Sequence, residues 1–273
     1  MIRSREVPGQ RPSRAAGYVA ALLIAALLAV IPATASPGAE RPPVDPLPTG
    51  TDVDYQLGGA RSVPEHVGIV VRDREATPAD GRYNVCYVNG FQTQPGQRRF
   101  WRAHWRLVLK YDGRPVEDEA WGEWLLDVRT KAKRAALARI VGGWAGGCAA
   151  DGFAAVEYDN LDSFTRSHGL IKRRAALAFA RLLVRAGHDA GLAVGQRNLG
   201  GYDGTAIGFD FAVAEECGRY RECASYVEDY GDRVLAIEYR RADFRWTCAH
   251  VGDRLPVVLR DRDLTPRGVR EWC

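Results

Sequence analysis

The stretch GFAAVEYDNLDSF, residues 152–164, begins as an apolar run and then delivers three acids, Glu157, Asp159 and Asp162. Its first half predicts a buried strand over 152–159. A buried carboxylate needs a partner or a chemical purpose. Glu157 and Asp159 are two residues apart and therefore share one face of a strand, whereas Asp162 falls in the loop behind it. Asp and Asn also bond nearby backbone amides in turns, so Asp162 has a plain structural reading beside the chemical one.

Working outward, short apolar runs recur on both sides. Strands are predicted at 53–57, 67–73, 84–90, 123–128, 152–159, 192–198, 209–216 and 233–239, with a further candidate at 255–261. The clearest helices are predicted at 129–145 and 171–190. The second carries Ala175, Leu177, Ala178, Leu182, Leu183 and Ala186 on one broad apolar face. A helix between two apolar strands is the βαβ signature of a parallel sheet, and near-continuous apolar strands suit a sheet covered on both faces. Eight such strands predict an α/β fold, a single (β/α)8 barrel. An open doubly wound sheet is the alternative, but no G-x-G-x-x-G follows the first strand. On this count 152–159 is the fifth barrel strand.

The amino terminus reads differently. Residues 1–16 hold four arginines, 17–31 form the uncharged apolar run GYVAALLIAALLAVI, and Ala33-Thr34-Ala35 fits a small-residue cleavage site. This is the layout of a secretory signal peptide over 1–35. Pro32 and the shortness of the run argue against a membrane anchor. Residues 36–50 are rich in Pro and Gly and read as a flexible leader, leaving 51–273 as the barrel. The formal charge of +4 is mostly the leader's, because residues 1–35 contribute four Arg against one Glu. Bulk charge therefore gives no support to a nucleic-acid partner. All six cysteines lie beyond the leader, and an even number in an exported chain predicts disulfides. Spacing suggests Cys217–Cys223 and Cys248–Cys273, with Cys86–Cys148 as the remainder, among fifteen pairings. Neither C-x-x-C nor H-x-x-x-H occurs, and the five histidines show no metal-ligand spacing, so no metal and no cofactor is expected. Neither a G-x-S-x-G elbow nor a Walker loop is present.

In a (β/α)8 barrel the active site lies at the C-terminal ends of the strands. The predicted strands end in Asp73, Asn89, Asp127, Glu157 with Asp159, Asn198, Glu215 with Glu216, and Glu238. Acids converging from separate strands suit glycoside hydrolysis, in which one carboxyl protonates the leaving oxygen and another acts as nucleophile or base. Aromatics such as Tyr87 and the Trp-rich runs 100–105 and 120–124 are candidates for stacking on sugar rings. For Glu238 an ion pair with Arg197 or Arg240 is the alternative.

Seven blocks in order resemble one family. They are DYQL (54–57), NVCYVNGFQTQ (84–94), WGEWLLDVR (121–129), CAADGFAAVEYDNLDSF (148–164), GLAVGQRN (191–198), DFAVAEECGRYREC (210–223) and VLAIEYR (234–240). Together they are similar to glycoside hydrolase family 114, a (β/α)8 barrel family whose characterised members are endo-α-1,4-polygalactosaminidases. The resemblance implies Asp159 and Glu215 as the catalytic carboxylates. It implies Glu157, Asp162, Glu238, Asp127, Asn198, Arg197 and Tyr239 as supporting or substrate-binding residues, beside Tyr87 as the stacking candidate. Arg197 stands where the family has Lys, Glu216 where it has Gln, and the loop after the third strand lacks an expected acid. The implied protein is a secreted, monomeric hydrolase of an amino-sugar polysaccharide. The alternatives are a non-catalytic polysaccharide-binding barrel of the same fold, or a hydrolase of another glycan.

Overall fold

A computed structural model describes residues 42–273; the expected signal peptide lies outside them. Eight parallel strands follow in chain order: β1 (Asp52–Tyr55), β2 (Val67–Asp73), β3 (Tyr83–Asn89), β8 (Ala155–Asp159), β9 (Ala193–Arg197), β10 (Phe211–Glu215), β11 (Val234–Glu238) and β12 (Val257–Arg260). A ninth, β13 (Arg270–Trp272), runs antiparallel to β12. It reaches back to β1, where the Trp272 indole donates to Val53 O and Arg270 pairs with Asp54. The sheet thereby closes almost fully into the expected barrel.

Four two-residue strands, β4 (Lys110–Tyr111), β5 (Arg114–Pro115), β6 (Glu117–Asp118) and β7 (Glu123–Trp124), sit between β3 and β8 as two antiparallel pairs. Here the chain departs from the sequence expectation. The run 123–128 is not a barrel strand but the far side of this excursion. Leu125 bridges to Gln92 and Leu126 to Val108, both antiparallel. Its apolar side chains bury in the outer core with Leu107 and Leu109, and an apolar run alone does not say which partner covers it. Consequently 155–159 is the fourth barrel strand, and the candidate at 255–261 is the eighth.

The helices are α1 (Arg98–Ala103), α2 (Lys131–Asp151), α3 (Arg173–Asp189), α4 (Cys217–Tyr220), α5 (Cys223–Tyr230) and α6 (Arg241–Val251). Thr130 caps α2 by accepting from Lys133 N, and Gly152, at φ +95°, ends it in the left-handed region. The β1–β2 and β2–β3 connections contain no helix, and β9–β10 holds only a 3-10 turn. The three expected disulfides, Cys86–Cys148, Cys217–Cys223 and Cys248–Cys273, are all present.

Strand alternation sorts the apolar residues into two cores. Val53, Tyr55, Ile69, Val71, Val85, Ala155, Phe211, Val213 and Ile237 fill the barrel interior. Val88, Val156, Tyr158, Val194, Ala214 and Ala236 face the helices. Residues 155, 157 and 159 thus point inward together, as do 193, 195 and 197, and 211, 213 and 215. Gly195 lies opposite Glu157, and a Cβ there would meet the Phe211 ring at 2.5 Å. Leu47 is buried in the inner core, and Tyr83 donates its hydroxyl to Asp45 O. Residues 42–50 of the expected flexible leader therefore lie against the barrel. Among the described residues, no helix is long and apolar enough to cross a membrane.

Candidate active site

The inward parity of β8, β9 and β10 brings Asp159, Arg197 and Glu215 to the floor of one open cleft of about 520 Å³. Arg197 is the hub. Its Nε lies 3.2 Å from Asp159 Oδ1, one terminal nitrogen 2.6 Å from Glu215 Oε1, and the other 3.1 Å from Glu157 Oε1. A guanidinium offers five donors in a fixed plane, so one side chain can address three carboxylates at once. The rings of Tyr55 and Tyr87 flank the same cation at 5.2 and 5.1 Å.

Each carboxylate is further fixed. Tyr87 donates to Asp159 Oδ2 at 2.8 Å, and Asn160 N donates to Asp159 Oδ1. Asn160 adopts φ +67°, a left-handed turn that Asn tolerates and that follows directly on the strand end. Tyr239 donates to Glu215 Oε1, and Asn198 Nδ2 to Glu215 Oε2 at 3.1 Å. Asn198 also accepts from Glu215 N at 3.0 Å, so its amide grips both ends of that residue. Glu157 is wholly buried one layer below and accepts from Tyr55.

These surroundings push the two upper carboxyls apart. Burial, reinforced by the nearby Glu215 charge, raises Asp159 well above the ordinary aspartate range. Burial acts on Glu215 in the same direction, but the Arg197 charge and the hydrogen bonds from Tyr239 and Asn198 outweigh it and hold Glu215 low. Burial and the charges of Asp159 and Glu215 also drive Glu157 well upward. A site that keeps one carboxyl protonated and its neighbour ionised meets the first requirement of acid–base glycoside chemistry.

Seven residues of the sequence-derived set gather here: Glu157, Asp159, Arg197, Asn198, Glu215, Tyr87 and Tyr239. Asp162 lines the cleft but is held by both terminal nitrogens of Arg166 at 2.8 Å. Two others stand elsewhere, correcting their expected place at the substrate. Asp127 is buried beside α2, where Arg129 at 2.8 Å and Lys133 neutralise it. Glu238 lies on the outer, helix-facing side of β11, because its parity is that of Ala236 rather than Ile237. It accepts from Gly218 N at 2.7 Å and Thr247 Oγ1 at 2.8 Å, with neither Arg197 nor Arg240 as partner. A Cβ at position 218 would stand 2.8 Å from that carboxylate. Glu216 turns away from Glu215 to Arg219 and Arg262.

The structure also adds cleft residues. Beneath the cleft, fully buried Tyr55 braces Glu157, and Trp121, from the expected aromatic run, stands half exposed in the wall under Arg262, whose guanidinium lies 5.7 Å from the ring centre. Glu123, on β7, enters from the excursion and accepts from Asn89 Nδ2 at 2.9 Å. It supplies a carboxylate beside the third strand, where the following loop has none. Its sequence signal was the WGEW block, whose acid sits mid-run rather than at a strand end.

A parallel barrel with paired carboxylates at the C-terminal ends of its strands defines a class, the barrel glycoside hydrolases. Residues 33–273 match the model of glycoside-hydrolase family GH114, and the chain belongs to that family. It is an enzyme of the glycoside hydrolase class. Among solved structures it is similar to Aspergillus fumigatus Ega3 in complex with galactosamine, at 19% identity and TM-score 0.65, with 88% of this chain and 100% of that one covered. It is also similar to the glycoside hydrolase domain of PelA from Pseudomonas aeruginosa, at 18% identity and TM-score 0.55, over 81% of this chain and 98% of that one. At these identities the likeness is one of fold. Among curated protein sequences, none matches this chain.

Proposed function

We propose that the protein is a secreted hydrolase of α-1,4-linked galactosamine-type polysaccharide, with Asp159 and Glu215 as its working carboxylate pair. The observation that carries this reading is the shared Arg197 clamp, which sets two inward carboxylates from different strands side by side with opposed proton affinities. Asn198, Tyr87 and Tyr239 orient the pair, and Glu157 anchors Arg197 from below. The galactosamine held by Ega3 and the family membership support the substrate class. A cleft whose carboxylates outnumber its arginines suits a polymer of ammonium-bearing sugars, since it attracts cations along its length.

Incubation with purified de-N-acetylated polygalactosamine should release reducing ends, and Asp159→Asn and Glu215→Gln should each abolish the release. Unchanged activity in both variants would reject the pair. No release from the wild type, alongside saturable polymer binding, would favour a binding barrel. Export is read from the arginine-flanked apolar leader and the three disulfides. Amino-terminal sequencing of protein recovered from culture medium tests it, with cleavage after Ala35 expected.

A further inference from the structure

Most cleft carboxylates already have a cation. Arg197 serves Asp159 and Glu215, and Arg166 serves Asp118 at 2.8 Å as well as Asp162. Asp73 and the exposed Asp263 have no such partner among the described residues, and Glu123 stands with them. Among the described residues no cation lies within ion-pair reach of it. Asn89, fixed in turn by donation from Asn160 Nδ2 and Gln92 N, holds its Oε2. Its Oε1 accepts no hydrogen bond among the described residues, and the side chain borders the cleft. A half-buried carboxylate with one oxygen oriented and the other free is a built receptor for a cationic donor. A carboxylate with both oxygens engaged offers no such free acceptor. Asp73, the neighbouring cleft acid, shows that case: Oδ1 accepts from Glu75 N and Oδ2 from Gln94 Nε2, each at 2.9 Å.

Resting on the galactosamine reading above, we propose that Glu123 is the carboxylate that reads the sugar's free ammonium group and selects de-N-acetylated over N-acetylated substrate. The chemistry is direct. An ammonium donates a charge-assisted hydrogen bond to Oε1, and N-acetylation replaces it with a neutral amide carrying a methyl group. Burial already works against the lone charge and pushes Glu123 up to about 7, so an arriving cation relieves an existing cost. Asp118 opposes that charge and Arg166 favours it, but Arg166 is committed to its own two acids.

The test measures kcat and KM on galactosamine oligomers and on their N-acetylated counterparts, for wild type, Glu123→Gln and Asp73→Asn. Gln retains an oxygen for Asn89, and coincident thermal melts confirm folding. For Glu123→Gln, KM on the amine oligomer should rise roughly ten- to a hundredfold, the range of one charge-assisted hydrogen bond. Its kcat should change far less, and KM on the acetylated oligomer should hold. The wild type gives a readout independent of any variant. Its kcat/KM preference for amine over acetylated oligomer should fall as pH drops through about 7 and Glu123 takes a proton, because titration of the catalytic pair cancels in the ratio. An unchanged preference in Glu123→Gln, or an equal loss in Asp73→Asn, overturns the proposal while leaving the function intact. Wild-type cleavage of neither oligomer would instead overturn the galactosamine reading itself.

Discussion

Replacing Arg197 with methionine removes the one cation that three carboxylates share. Arg197 is almost fully buried, and its nitrogens lie 2.6–3.2 Å from Glu215, Asp159 and Glu157. Near 4 Å and at an effective dielectric of about 20, each such pair carries about 4 kcal/mol of attraction. The three do not add, because the stranded carboxyls respond by taking protons, at about 1.4 kcal/mol per pKa unit. Breaking a buried ion pair from one side costs about 3–5 kcal/mol in general. For a domain of this size that lowers Tm by about 2–4 °C per kcal/mol. The sign with pH follows from Glu215, which is held low in the wild type and rises once its cation is gone. The variant's folded state then binds more protons than the wild type's, so its deficit shrinks as pH falls and grows towards neutrality. Thermal melts with the disulfides intact, at acidic and neutral pH, measure this directly. A variant melting like the wild type at both values would refute the picture of Arg197 as the clamp.

Three further expectations follow from the same geometry. The pH dependence of kcat/KM should be bell-shaped, since the proposed pair works with one carboxyl protonated and the other ionised, and its two apparent pKa values belong to the pair as a unit. Glu238→Ala and Asp127→Ala should destabilise the fold, the former by about 1–3 kcal/mol for each buried donor left unpaired, while kcat and KM of the folded enzyme stay near wild type; a large KM change in either would place it at the substrate after all. Replacing both cysteines of a bridge by alanine should cost about 4 kcal/mol for Cys86–Cys148, which spans 62 residues, and only about 2 kcal/mol for Cys217–Cys223, which spans six. Denaturant titration orders the two.

Much of this was legible in the residues. The period-two spacing of Glu157 and Asp159 put both carboxylates on one face of a strand in the sequence alone, and the fold turns that face into the barrel. That spacing also carried the warning about Glu238, which is out of phase with Ile237 and Tyr239. A carboxylate at a strand end counts towards the site only if its parity matches its apolar neighbours. Asp127 and the run around it misled for another reason. Leu125, Leu126 and Val128 are as apolar as any barrel strand, and only long-range pairing with Gln92 and Val108 assigns them to the excursion. Arg197 as a three-way hub was invisible in one dimension, because it depends on three adjacent strands reaching the same height.

The closing strand has a consequence for how the molecule comes to exist. Trp272 and Arg270 meet Val53 and Asp54 across more than two hundred residues of chain. Contacts of such sequence separation are slow to form, since the chain entropy of the loop is lost before the contact rewards it. Such a seam is expected to shut late, after the strands between have paired. Until then β1 offers an unpaired edge, the kind that invites pairing with another chain. Cys248–Cys273 forms beside this seam, tying the chain just past β13 to α6. Oxidation there makes the closure hard to reverse and so shortens the time for which that edge stands open.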